Sequence, residues 1–203
     1  FRLSLTGFSF LKNKIVKREF LTTGDGSVTI HLPEWDEQYH SKHGAIAEAK
    51  HVFIQTGLHH FFSKAELKQI SILEIGFGTG LNALLTQLEA ETNSWGIDYT
   101  GIEAYPVSAL EVEGLNYTSE LNIPSEMLTQ MHSVPWGDQV KLSTFFNLRK
   151  RKQFFSEISE ENTYNLIYFD AFGARVQPEL WTEEIFLRMF NALKIGGVLV
   201  TYA

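Results

Sequence analysis

A glycine-rich turn constrains this chain more than any other feature. Ile72-Leu73-Glu74-Ile75 is a short apolar run, Gly76-Phe77-Gly78-Thr79-Gly80 follows it, and Leu81, Leu84, Leu85 and Leu88 then recur at helical spacing. Strand, tight turn and helix in that order open a unit whose next strand returns parallel to the first, because the helix carries the chain back across the sheet. The rhythm continues. Tyr99–Glu103 reads as a second strand, Pro106 opens a second helix, Val140–Ser143 is a third strand, and Tyr164–Phe169 is a strong fourth that ends at Asp170. Thr182 followed by Glu183 and Glu184 caps a helix bearing Ile185, Phe186, Met189 and Leu193. Gly196-Gly197 then turns into a fifth strand, Val198–Tyr202. The pattern predicts an α/β fold with five parallel strands covered by helices on both faces.

The segment upstream has a different character. Leu21–Ile30 predicts two short extended runs around Gly24-Asp25-Gly26, since Asp-Gly supplies the positive φ of a tight hairpin. A helix is expected from Ala45 to Phe62, with Gly57 ending or kinking it, and Ser63-x-x-Glu66 has the capping-box pattern of another short helix. The chain therefore divides into a hairpin-and-helix extension, residues 1–62, and an α/β core, residues 63–203. With no cysteine there is no disulfide, thiolate zinc site or cysteine nucleophile. A formal net charge of −7 argues against non-specific coating of nucleic acid, though it leaves room for a local basic patch. No apolar run approaches membrane-spanning length and no leader pattern is visible, so a cytoplasmic location is expected.

The chemistry falls at strand ends. A dinucleotide fingerprint would want a third glycine at position 81, where Leu81 stands. The spacing G-x-G-x-G, with Glu74 two residues ahead, is instead that of a loop for S-adenosylmethionine. Glu103, closing the second strand, is placed to accept both ribose hydroxyls of such a ligand. Asp170, closing the fourth, lies where donor and acceptor of a methyl group should meet.

Leu73-Glu-Ile-Gly-Phe-Gly-Thr-Gly-Leu-Asn82, Phe169-Asp-Ala-Phe172 and Pro178-Glu-Leu-Trp-Thr182 resemble the methyltransferases of the MnmC/MnmD type, which act on 5-aminomethyl-(2-thio)uridine at the tRNA wobble position. Tyr39-His-Ser-Lys-His-Gly-Ala-Ile-Ala-Glu48, running into His51-Val-Phe-Ile54, is similar to that family's segment ahead of the glycine loop. The likeness covers about residues 20 to 203. It implies a Rossmann-like class I methyltransferase sheet, S-adenosylmethionine as cofactor, tRNA as partner and no metal. It further implies Asp170 as the acid that accepts or directs the amine proton. Glu48 would bind the methionyl amino group, and Glu74, Gly76, Phe77, Gly78, Thr79, Gly80, Asn82 and Glu103 would form the cofactor cradle. Phe172, Pro178 and Trp181 would wall the substrate pocket.

Two departures from that pattern stand out. The third strand ends in Ser143-Thr144-Phe145 without the acid many such folds place near the adenine, and Phe172-Gly-Ala-Arg175 replaces a proline-containing stretch. Two basic clusters, Lys12/Lys14/Lys17/Arg18 and Arg149–Lys152, read either as a solvated tail and loop or as phosphate contacts. His40, His43, His51, His59 and His60 read as scattered rather than as a metal site. Only five of the seven strands normal for such a fold are found before Ala203, so the fifth strand is expected at an open edge with further chain beyond it. Three other functions stay open: an N-methyltransferase of a small amine, a catalytically inactive RNA-binding scaffold, and an NAD-dependent oxidoreductase, which Leu81 weakens.

Overall fold

A computed structural model describes residues 17–202 apart from 65 and 67. Three antiparallel strands come first: β1 (Glu19–Thr22), β2 (Val28–Leu32) and β3 (Glu37–Gln38), in the order β1-β2-β3. The expected hairpin is there, with Thr22 opposite Val28 across the Gly24-Asp25-Gly26 turn. Its tip is docked rather than free. The Asp25 carboxylate accepts from the Thr23 and Ser27 hydroxyls, from Ser27 N–H and from Ala47 N–H, so it caps the first turn of the following helix from outside. Lys12 and Lys14 lie outside the described residues.

That helix begins as α1 (Ala45–Ala49), runs on through a π-helical stretch (Lys50–His59) and ends as α2 (His60–Lys64). Gly57 neither ends nor breaks it. A Cβ there would come within 3.0 Å of Val200 and 3.2 Å of Tyr168, so the missing side chain lets the helix lie close on the sheet. The helix expected from Ser63-x-x-Glu66 does not start there: Ser63 sits inside α2, its hydroxyl on the His60 carbonyl.

The main sheet has six strands in the order β6-β7-β5-β4-β8-β9: β4 (Gln69–Ile75), β5 (Gly96–Glu103), β6 (Gln139–Lys141), β7 (Phe146–Lys152), β8 (Tyr164–Phe169) and β9 (Leu193–Thr201). Five are parallel, as expected; β6 runs antiparallel to β7 at the edge. The third parallel strand is therefore not Val140–Ser143, which contributes only the edge strand, but Phe146–Lys152. Arg149–Lys152 is accordingly no loop. Phe146, Leu148 and Lys150 alternate inward along β7, and the lysine occupies an inward position that the charge run disguises. At the other end, Gly196 and Gly197 lie inside β9, at a register shift between Tyr164 and Leu166 of its neighbour, rather than ahead of it. Among the described residues the outer edge of β9 has no strand beside it.

Helices α3 (Leu81–Asn93), α4 (Ala109–Glu113), α5 (Tyr117–Glu120), α6 (Glu126–Ser133) and α7 (Glu183–Ala192) complete the fold. α4 starts three residues after the expected opening: Pro106 lies ahead of it, and Ser108 with Glu111 forms the capping box. The Thr182 hydroxyl caps α7 through Ile185 N–H, as expected. Alternate residues of the sheet feed two cores. Ile72, Leu166 and Tyr168 pack with Phe53, Leu58 and Leu84 on one face, and Leu73, Ile167 and Phe169 with Ile185 and Met189 on the other. Strand order reverses at β4, with β5 on one side and the much later β8 on the other, and such a switch opens a crevice at the strands' C-terminal ends.

Candidate active site

The crevice is a cleft of about 1280 Å³. Its floor is the turn after β4, where Gly76, Gly78 and Gly80 all have positive φ (92°, 47° and 77°). At Gly76 the requirement is absolute, since a Cβ would lie 2.5 Å from the Asp170 carbonyl oxygen. Gly76 and Phe77 N–H both donate to the Ile102 carbonyl, at 3.0 and 2.9 Å, which ties the turn to β5. Glu103, at the end of β5, accepts from Gly78 N–H through Oε2 and from Tyr105 N–H through Oε1, each at 2.9 Å. Each carboxylate oxygen keeps lone-pair capacity for a ligand.

Three groups meet at the switch point. The Asn82 side-chain amide, in the first turn of α3, donates to Glu74 Oε1 at 3.0 Å and to Asp170 Oδ2 at 2.8 Å. Glu74 is 1% exposed and its Oε2 has no hydrogen-bond partner. Burial pushes its carboxyl well above the ordinary range and the nearby Asp170 pushes it further, outweighing Asn82 and Tyr99. Asp170 is raised to about 7, chiefly by burial, with the Asn82 bond opposing and Glu48 adding to the rise. Glu48 itself, on α1, accepts from Ser41 N–H at 2.8 Å. The cleft wall thus gathers the Glu74, Asp170 and Glu48 carboxyls around one amide bridge.

The chain around Asp170 is held at every step. Asp170 N–H donates to Ile75, the Tyr202 hydroxyl to the Ala171 carbonyl at 2.8 Å, and Trp181 Nε1–H to the Phe172 carbonyl at 2.8 Å. The Phe172 ring meets Tyr39 and Trp35 edge to face, at 5.0 and 5.9 Å between centroids. Arg175 then reaches across, donating to the carbonyls of Trp35 and Asp36 and pairing with Glu37 at 3.0 Å. On the opposite rim Arg18 donates to the Tyr105 and Pro106 carbonyls and pairs with Glu111 at 3.2 Å. The small antiparallel sheet is clamped over the cleft from both sides.

A protein family described as S-adenosyl-L-methionine-dependent methyltransferase matches residues 122–203. The tRNA 5-methylaminomethyl-2-thiouridine biosynthesis bifunctional protein MnmC of Leptospira interrogans is 27% identical over 199 residues, covering 90% of this chain and 30% of that protein. The MnmC protein of Cupriavidus metallidurans is 26% identical over 204 residues, covering 91% and 29%. The crystal structure of MnmC2 from Aquifex aeolicus shares the fold, with a TM-score of 0.72 over 93% of this chain and 60% of that one at 22% identity. In sequence and fold the chain is similar to MnmC-type methyltransferases. It spans about 30% of the length of the curated relatives it matches.

The cleft brings together most of the residues that the sequence singled out. Glu48, Glu74, Gly76, Phe77, Gly78, Thr79, Asn82, Glu103, Asp170 and Phe172 all line it. Gly80 stands just behind, as the N-cap of α3. Pro178 and Trp181 do not line the cleft. Pro178 opens a 3₁₀ turn, and the Trp181 ring packs on Phe169 and Phe186 in the second core, so its contribution is the hydrogen bond that holds Phe172. Trp35, Tyr105, Phe154, Phe155 and Tyr202, to which the sequence pattern assigns no role, also line the cleft, as does Tyr39. Phe154 and Phe155 follow β7, so placing the third strand correctly would have found them. The histidines are dispersed: His40 bonds Thr29, His59 pairs with Glu89, and no metal-binding cluster of side chains exists among the described residues. Nor is any helix among them long and apolar enough to cross a membrane.

Proposed function

We propose that this chain transfers a methyl group from S-adenosylmethionine to the primary amine of 5-aminomethyl-(2-thio)uridine at the wobble position of tRNA, in the cytoplasm. The observation that carries the reading is the setting of Asp170: a carboxyl raised to about 7, held by Asn82 beside the glycine turn, at the foot of a cleft walled by aromatic rings. The residues present suit the cofactor. Glu103 retains lone pairs for two ribose hydroxyls, the backbone of Gly76–Gly80 allows close approach, and the Glu48 carboxyl suits the methionyl ammonium. Bound there, the cofactor supplies an electrophilic methyl group.

The chain's own part is proton handling and alignment. An ammonium has no lone pair, so the substrate must lose a proton before or as it attacks, and Asp170 accepts it. A base that titrates near neutrality suits that task, because it is both available and strong enough at working pH. Phe172, fixed by Trp181 and flanked by Tyr39 and Trp35, offers the base a stacking and edge contact that orients the aminomethyl group.

Methyl transfer from labelled S-adenosylmethionine to tRNA from a strain blocked at this step tests the reading, with nucleoside mass spectrometry of the product. The expected product is 5-methylaminomethyl-(2-thio)uridine. Label appearing on a free small amine at the rate seen with tRNA, or cofactor binding with no transfer to any tRNA, would overturn it.

A further inference from the structure

Lys150 is the one inward-facing charge on β7 and is 1% exposed. Its ammonium donates to the main-chain carbonyl of His132, in the last turn of α6, where the helix presents unpaired carbonyls and the negative end of its dipole. Two aromatic faces take up the rest of the charge: the Trp136 ring at 4.8 Å and the Phe77 ring at 5.8 Å. Among the described residues Lys150 forms no ion pair with a carboxylate, and burial alone lowers its pKa, to about 8. The site is shared with the back of the glycine turn. Phe77 is the second residue of that turn, and its ring fills the space that a Cβ on Gly101 would occupy at 2.4 Å. His132 lies 5.5 Å from the Phe77 ring and its Nε2–H donates to the Thr79 carbonyl at 2.9 Å.

Both halves of the turn thus rest on one assembly, the first through the Phe77 side chain and the second through the Thr79 carbonyl. The turn needs such support. Three residues of positive φ within five give it wide conformational freedom, and a loop that must be ordered by its ligand binds more weakly than one already in place.

We propose that Lys150 is a positioning residue for the cofactor cleft, acting from behind the glycine turn through His132 and Phe77. Its link to a ligand rests on the proposed cofactor; its action on the turn does not. The role differs from phosphate binding, for which the surrounding run of basic residues would otherwise be taken. Of that run, Arg151 is paired with Glu160 and Arg149 with Gln139, while Lys150 never reaches the surface.

The test uses the full chain with Lys150→Met, which keeps the length and apolar stem of the side chain and removes the ammonium. Amide hydrogen exchange without any ligand is the first readout. Exchange at Gly78 and Gly80 should quicken at least tenfold while Ile72–Ile75 in β4 stays as in the wild type. The second readout is calorimetry and kinetics with S-adenosylmethionine: Kd and KM should rise about tenfold or more, with kcat at saturation within twofold. A purely structural lysine would do the opposite, lowering the active fraction and kcat while leaving KM and turn exchange alone, and that result would overturn the proposal. Where Lys150→Met fails to fold, His132→Leu removes the ring's bond to Thr79 and its edge contact with Phe77, leaving the carbonyl that Lys150 uses. It should produce the same pattern, and unchanged exchange at Gly80 in that variant would also overturn the proposal. Absence of S-adenosylmethionine binding by the wild type would sink the cofactor reading alone, since the exchange data judge the support of the turn independently.

Discussion

Asn82→Ala should move the pH dependence of methyl transfer upward. The Asn82 amide donates to Asp170 at 2.8 Å, and that bond favours the ionised carboxylate against the burial that disfavours it. A hydrogen bond to a charged group contributes about 1.5–3 kcal/mol. One pKa unit corresponds to about 1.4 kcal/mol. Water entering the space left by the amide recovers part of the loss, so the lower end applies and the shift is about one unit. With Asp170 beginning at about 7, the inflection in single-turnover rate should move to about 8, the rate falling most at acidic pH, where the base is then protonated. Glu74→Gln is the companion. Glu74 is buried, and burial together with the neighbouring Asp170 pushes its carboxyl well above the ordinary range, so a neutral amide of the same shape should leave the inflection where it was. Were Glu74 ionised, removing its charge would lower the Asp170 pKa and carry the inflection down. The assay is quenched-flow transfer from labelled cofactor to saturating tRNA, from pH 5.5 to 9.5 by roughly half-unit steps, a span that brackets both outcomes. An unmoved inflection in Asn82→Ala, or a downward move in Glu74→Gln, refutes the reasoning.

Asp170→Ala should lose roughly 10²–10⁴ in transfer rate while calorimetry still detects the cofactor, and near-normal turnover with saturating tRNA would remove its role. Glu103→Ala should weaken cofactor binding by roughly 1.5–3 kcal/mol for each charge-assisted bond lost, read by calorimetry; it should also free the Gly78 and Tyr105 amides to exchange faster. Asp25→Ala should cost about 1 kcal/mol in urea unfolding, because it removes the external cap on α1. Burial opposes ionisation of Asp25, but the bonds from Ser27, Ala47 and Thr23 bring it from 3.8 down to about 2. A depressed carboxylate stabilises the fold above its unfolded pKa and loses that contribution as pH falls through the folded one. The difference between wild type and Asp25→Ala should therefore be constant above about pH 4.5 and shrink on the way to pH 2, and a difference that grows with acid would contradict it.

The parts of the fold that could be read directly are those in which local pattern and burial agree. β4, the glycine turn, α3 and β8 have apolar faces at the spacing their geometry demands, and Asp170 and Glu103 were legible because a strand end at a switch point is a defined place. β7 was not, because four consecutive basic residues look like surface unless one knows that α6 offers Lys150 a carbonyl and Phe77 and Trp136 offer it rings. Gly57 looks like a helix stop for the same reason: what it accommodates, Tyr168 and Val200, is more than a hundred residues away in sequence. Trp181 misled in the other direction. Its ring belongs to the core under α7, and only its indole N–H speaks to the site. Trp35, Tyr39 and Arg18 join the cleft through contacts with Phe172, Arg175 and Glu111, which no local window contains.

The clamp made by Arg175 has a consequence for the order in which the molecule can be assembled on the ribosome. The Trp35 carbonyl and its Arg175 partner are 140 residues apart, and β4, the centre of the sheet, waits for β8 on one side. A three-stranded antiparallel sheet as small as β1-β2-β3 is marginal alone. It gains the Arg175 clamp and the Phe172 contacts to Trp35 and Tyr39 only once the stretch after β8 has emerged. Contacts of such long sequence separation form slowly. The roof of the cleft therefore cannot close before the stretch after β8 has been made, and it depends on segments from both halves of the described chain being present together.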